Sequence, residues 1–202
     1  MTGIKEELYL PKDCKALYPK DFYWKANPDK ADELIIIYVV TDDGCICTIQ
    51  FQYASSFIKS TSGIIAKFWN KNVNQSVTKT GKVSDITYSD DKRSIFLFDS
   101  SITAKSPDSL DFKIKVGCDP QKIQYDLDFT TTGPYGYQME GDPPECMRSK
   151  DSEIMQNIIS TAKVSGTAII NGTTININGN GLLYHNYSCN VKNSLQAMKR
   201  YE

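Results

Sequence analysis

Hydrophobic and polar residues alternate most regularly between Leu110 and Phe129. Leu110, Phe112, Ile114 and Val116 take every second position, with Asp111, Lys113 and Lys115 between them. After Cys118-Asp119-Pro120, Ile123, Tyr125, Leu127 and Phe129 alternate with Gln124, Asp126 and Asp128. A period of two sends successive side chains to opposite faces of a strand. The stretch therefore predicts an antiparallel hairpin with one dry and one wet face. Leu34 to Val40 is apolar at every position, which predicts a strand covered on both sides. Thr41-Asp42-Asp43-Gly44 supplies a tight turn. The returning strand puts Cys45, Cys47, Ile49, Phe51 and Tyr53 on one face, and Thr48, Gln50 and Gln52 on the other. Further strands are expected at Ile64 to Trp69, at Ile102 to Lys105 and at Tyr135 to Met139. A second hairpin, Val83 to Tyr88 with Ser94 to Phe98, is expected about Ser89-Asp90-Asp91-Lys92. Val73 to Thr80 reads as a polar loop.

The β pattern stops at Gly141, where Asp142-Pro143-Pro144 cannot sit inside a sheet. Ser152 to Ile159 is expected as a short helix with Ile154 and Ile158 on one side. Strands resume at Ala162 to Ile170, turn at Asn171-Gly172 and return through Thr174 to Leu183. Val191, Leu195 and Met198 have helical spacing and predict an amphipathic C-terminal helix. At the other end, Ile4 and Leu8 allow a helical turn or two within an otherwise frayed arm. Asp21-Phe22-Tyr23-Trp24 is placed to plug a barrel end or seal a sheet edge. The fold class is all-β: an antiparallel barrel of about 8–10 strands with short peripheral helices. Its organisation is an N-terminal arm (1–32), the barrel (33–188) and a C-terminal helix or linker (189–202).

Composition narrows the chemistry. A chain of 202 residues is within the range of one all-β domain. A net charge of −1 gives no electrostatic case for nucleic acid. The N-terminus lacks a signal peptide's apolar core, and no run approaches the roughly 18 apolar residues of a membrane helix. A cytoplasmic chain with reduced cysteines is the expectation. The single histidine, His185, removes most metal and triad chemistry, and no nucleophile elbow occurs. No catalytic residues, metal or cofactor are expected. By alternation from Ile175 and Ile177, His185 shares their face, beyond a bend or bulge expected at Gly179-x-Gly181. It is either a half-buried histidine on a backbone carbonyl or a ligand contact. Asp126 and Asp128 belong to a solvated face, with Lys113 and Lys115 as cross-strand partners. The candidate ligand-binding residues are Phe51, Tyr53, Phe68, Phe112, Ile114, Tyr125, Leu127, Phe129 and His185. Burying each large apolar member contributes roughly 1.5–3 kcal/mol, so the set can fill a core or line a cavity.

Several stretches together resemble the fungal survival-factor family. Asp21-Phe22-Tyr23-Trp24 and Ile37-Tyr38-Val39-Val40-Thr41-Asp42-Asp43-Gly44 are similar to its opening, an aromatic cluster before a hairpin. Asp85 to Ser94 looks like its second hairpin, and Lys163-Val164-Ser165-Gly166-Thr167 like a later strand. Ile177-Asn178-Gly179-Asn180-Gly181, followed by His185, is similar to another of its segments. The resemblance implies a lipocalin-like (calycin) fold, usually two halves in tandem, of which this chain looks like the first. It implies survival under oxidative stress and ceramide carriage between ER and Golgi membranes. The family's Trp-, His- and Arg-rich segment is reduced here to Met147-Arg148 within Glu145 to Ser149; if that segment gates or lines the cavity, its loss implies a different lipid, or none.

The expected function is thus a non-enzymatic lipid-binding or transfer protein, holding ceramide or another sphingolipid in its barrel. Its partners would be that hydrophobic ligand, a transiently touched ER or Golgi membrane, and a second lipocalin-like half or an identical copy. Two alternatives stand beside this. One is a hydratase- or cyclase-type enzyme on an apolar substrate, working through His185 with a nearby Tyr or Asp. The other is a filled barrel that serves as an interaction lobe.

Overall fold

The computed structural model describes residues 14–26, 31–55, 60–133, 136–141 and 152–190. The first strands are β1 (Lys15–Ala16), β2 (Ala31–Thr41), β3 (Ile46–Ala54), β4 (Thr61–Trp69) and β5 (Asn74–Lys82). Next come β6 (Ile86–Tyr88), β7 (Ile95–Leu97), β8 (Ser100–Ala104), β9 (Phe112–Asp119) and β10 (Ile123–Thr131). The last are β11 (Tyr137–Gly141), β12 (Glu153–Ile170) and β13 (Thr173–Cys189). All belong to one 13-stranded sheet, ordered β5-β4-β3-β2-β13-β12-β10-β9-β8-β7-β6, with β11 beside β12 and β1 beside β11. The two ends of this path, β5 and β6, follow one another in the chain through a 3-10 turn, Val83–Asp85. The sheet thereby curls into a nearly closed antiparallel barrel. The Tyr125 hydroxyl reaches across it from β10 and donates to the Lys67 carbonyl on β4, at 2.8 Å.

The opening hairpin forms as β9 and β10, with Phe129 opposite Phe112, Leu127 opposite Ile114 and Tyr125 opposite Val116. Its outer face carries the expected charges. Asp128 lies opposite Lys113 and Asp126 opposite Lys115, and Lys113 bridges both carboxylates. Both aspartates remain well exposed, so each pair contributes about 0–1 kcal/mol.

Two segments read otherwise are strands. The polar loop at Val73 to Thr80 is β5, an edge strand whose faces are both mostly polar, so no alternation marks it; only Val77 is buried. The helix expected at Ser152 to Ile159 is the first half of β12. Ile154 and Ile158, four apart, fit a helix face and also the outer face of a strand. The inner face is Met155, Asn157 and Ile159, all buried. β12 is 18 residues long because it serves two partners, β11 along its first half and β10 along its second. Its register against β13 shifts between Ile159 and Ala162, where the partners change. The bulge is therefore on β12, while β13 stays in register through Gly179 and Gly181. The only helical elements among the described residues are two 3-10 turns, Pro19–Asp21 and Val83–Asp85.

Leu34 to Val40 is not covered on both sides. Ile35, Ile37 and Val39 are buried in the core, but Tyr38 is 43% and Val40 53% exposed. The run is a barrel wall with an apolar outer face. The segment expected as an arm contributes to the core in its described part: Leu17, Phe22 and Trp24 are fully buried. The helical turns at Ile4 and Leu8, the segment around Met147-Arg148 and the C-terminal helix lie outside the described residues.

Candidate functional site

Strand alternation sends three polar residues inward among apolar neighbours. On β2, Glu33 stands between Ala31 and Ile35. On β13, His185 stands between Leu183 and Tyr187, and on β12, Asn157 stands between Met155 and Ile159. All three are fully buried. Register brings them together at one end of the barrel. Asn157 pairs with His185, and Glu33 lies between Tyr187 on one side and Tyr53 on the other.

The Glu33 carboxylate accepts four hydrogen bonds. Oε1 receives His185 Nε2 at 2.7 Å and the Lys25 backbone N–H at 2.9 Å. Oε2 receives the Tyr53 hydroxyl at 2.5 Å and the Ala26 backbone N–H at 3.2 Å. A buried carboxylate is tolerated when its lone pairs are filled in this way. The Asn157 amide nitrogen lies 3.3 Å from His185 Nδ1. With that amide donating, Nδ1 accepts and Nε2 carries the proton given to Glu33. The chain of bonds leaves Asn157 Oδ1 without a partner.

Phe22 and Trp24 close this end. Their rings lie 5.2 and 5.3 Å from the imidazole, and Phe22 also packs 5.1 Å from Phe112. The Trp24 backbone is tied down by its bond to the Lys92 carbonyl, at 2.8 Å. Trp24 Nε1 has no partner, and neither has the hydroxyl of Tyr88, whose ring is 6.0 Å from the indole. The aromatic cluster thus acts as the plug that its sequence position allowed.

The nine residues expected to bind ligand are all buried on the inner face. Tyr53, Phe112, Phe129 and His185 gather at the plugged end. Phe68 and Tyr125 lie toward the hairpin tips, with Cys47 beside them. His185 is neither half-buried nor bonded to a carbonyl; its partners are two side chains from other strands. Glu33, Asn157 and Tyr88 are added to the site. Glu33 could have been found by extending the Ile35, Ile37, Val39 alternation back one step. Asn157 was hidden by the helical reading of its segment. Among the described residues no three His, Cys, Asp or Glu side chains cluster to hold a metal.

Burial pushes the Cys47 thiol up to about 11. It also raises Tyr125, next to Cys47, and Tyr88, on which the Glu33 charge acts as well. Each acid holds its proton more tightly folded than unfolded. Their contribution to stability is therefore complete below the unfolded thiol's titration and is lost as pH rises through the folded value. The urea midpoint is expected to fall from about pH 9 to about pH 11, and Cys47→Ala should flatten the first part of the fall. A midpoint constant across that window would contradict the thiol's burial.

The profile of the Svf1 family matches residues 3–198. Two solved structures share the fold. An AttH protein from Nitrosomonas europaea superposes with a TM-score of 0.62 at 14% identity, over 89% of this chain and 57% of that one. Kievitone hydratase from Nectria haematococca gives 0.53 at 11%, over 89% of this chain and 53% of that one. This chain spans little more than half the length of either. No curated protein sequence matches it.

Proposed function

The chain belongs to the Svf1 family, and from that membership we propose that it is a non-catalytic carrier for a long-chain amphipathic lipid, a ceramide or a related sphingolipid. The observation that carries this reading is the polarity of the barrel's interior. One buried polar cluster, Glu33, His185 and Asn157, sits at the plugged end, while Phe51, Phe68, Ile114 and Leu127 give the inner face an apolar stretch. An acyl chain would lie along Phe51, Phe68, Ile114 and Leu127, with its head at the cluster. Each methylene withdrawn from water contributes about 0.8 kcal/mol. Cargo would be exchanged at ER and Golgi membranes by a protein otherwise in the cytosol, which links it to stress survival.

Binding is favoured over turnover because both ring nitrogens of His185 are engaged, one by Glu33 and one by Asn157. A general acid or base needs a free nitrogen facing the reacting atom. The hydrogen-bonded Glu33–His185 pair is the observation that favours an enzyme instead. Loss of turnover without loss of binding in His185→Ala would support that second reading.

Organic extraction of the purified protein, with mass spectrometry of the extract and of the native protein, tests the carrier. The expected result is one long-chain lipid per chain, lost in a soluble Tyr125→Asp variant. A native mass without adduct, together with no uptake from ceramide-containing vesicles, would count against it.

A further inference from the structure

The barrel wall is a ladder of paired strands except where its two ends face each other. Among the described residues β5 pairs with β4 alone and β6 with β7 alone, so no strand register crosses from β5 to β6. The flanks of this seam are unequal. β5 runs for nine residues, while β6 and β7 have three each. Short strands with few ladder bonds are among the parts of a fold that open most easily. Solvent already reaches the core here: of the buried apolar residues, Val77 on β5 and Ile86 on β6 keep the most exposure, 7% and 8%.

A side chain bridges the seam. Alternation turns Val77, Lys79 and Gly81 to the less exposed face of β5. The Phe98 ring, partly buried against the core, lies on Gly81, so close that a Cβ added there would stand 2.7 Å from Cζ. The Lys79 ammonium is 4.5 Å from the centre of the same ring. Phe98 belongs to the other flank. With Asp99 it makes the two-residue turn between β7 and β8, where Leu97 faces Ser100. Its φ is +55°, at a position that such turns give to glycine and that a Phe side chain resists.

On the carrier reading, we propose that the seam between β5 and β6 is the door by which an apolar chain enters and leaves the barrel, and that Phe98 is its latch. Lifting the ring from Gly81 and Lys79 frees β6 and β7 to swing away from β5. It uncovers Val77 and Ile86, an apolar threshold along which an acyl chain can slide. It also lets the turn relax from its left-handed backbone, so the closed door carries strain that opening relieves. The Tyr125–Lys67 bond joins β10 to β4 and is untouched by movement of the short strands.

Hydrogen exchange on the lipid-free protein tests the latch, and lipid release tests the door. Amides of β5, β6 and β7 are expected to exchange faster than those of β2 and β13. Phe98→Ala should speed the seam amides about threefold to tenfold and leave β2 and β13 unchanged. Phe98→Gly should fall between Phe98→Ala and wild type, because glycine adopts +55° freely and stabilises the closed turn. Release of an NBD-labelled ceramide to phosphatidylcholine vesicles should follow the same order. Seam amides unchanged in Phe98→Ala, or amides faster everywhere alike, would overturn the latch. Faster seam amides with unchanged release would overturn the door and leave the carrier reading standing. No uptake of the labelled ceramide by wild-type protein would overturn the carrier reading and the door with it.

Discussion

Replacing Glu33 with alanine is expected to destabilise the fold by about 3–5 kcal/mol, lowering Tm by on the order of 10 °C. The carboxylate is fully buried and takes hydrogen bonds from His185, Tyr53 and the backbone N–H groups of Lys25 and Ala26. Its removal strands four donors where water does not reach, and each retains most of its desolvation penalty. It also releases the backbone just after Trp24, so the plug loosens with the core. Glu33→Gln should fall between alanine and wild type, because one end of the carboxamide donates where two acceptor pairs are required. Asp126→Ala on the outer face is the control and should change stability by less than about 1 kcal/mol. Urea denaturation followed by circular dichroism measures all three. A Glu33→Ala variant as stable as the Asp126→Ala control would mean that the carboxylate does not anchor this end of the barrel.

Gly166→Ala is expected to prevent folding, or to destabilise by more than about 4 kcal/mol. Gly166 lies within β12 opposite Leu127, with φ at +144°. A Cβ there would stand 2.1 Å from the Asp126 carbonyl oxygen and 2.9 Å from the Leu127 Cα. Both obstacles are backbone of the paired strand, so no side-chain rotation relieves them, and the β10–β12 ladder would have to part. Gly172 makes the comparison clean. Its φ is also positive, at +81°, but nothing lies within 4 Å of its added Cβ. Gly172→Ala should therefore cost only the conformational penalty, about 1–2 kcal/mol. Similar losses at both glycines would show that φ, and not the strand contact, governs Gly166. Soluble expression and thermal melts of the two variants separate the cases.

Much of the barrel is legible in the chain itself. The β9–β10 hairpin follows from alternation, with its outer lysines facing its outer aspartates. The Asn171-Gly172 turn follows from two residues that tolerate positive φ, and they adopt +50° and +81°. Legibility fails where the period is ambiguous or absent. Ile154 and Ile158 suit a helix and a strand equally, and β5 has little apolar face to show because it lies at the edge of the sheet. The site was partly readable: His185 and Tyr53 stood out as inward polar or amphipathic positions, and Phe22 and Trp24 as a plug. Glu33 and Asn157 did not, because their meaning lies in their partners.

His185 and Glu33 are 152 positions apart, and His185 and Asn157 are 28 apart. By itself, the sequence determined which side of β3, β9 and β10 faces the core, because the pleat is local and repeats every two residues. Only the tertiary structure decided which inward residues meet. That depends on the register of β12, β13, β2 and β3 and on the shift at Ile159–Ala162. A slip of one residue in any of these pairings would turn the polar groups outward, and a slip of two would separate them.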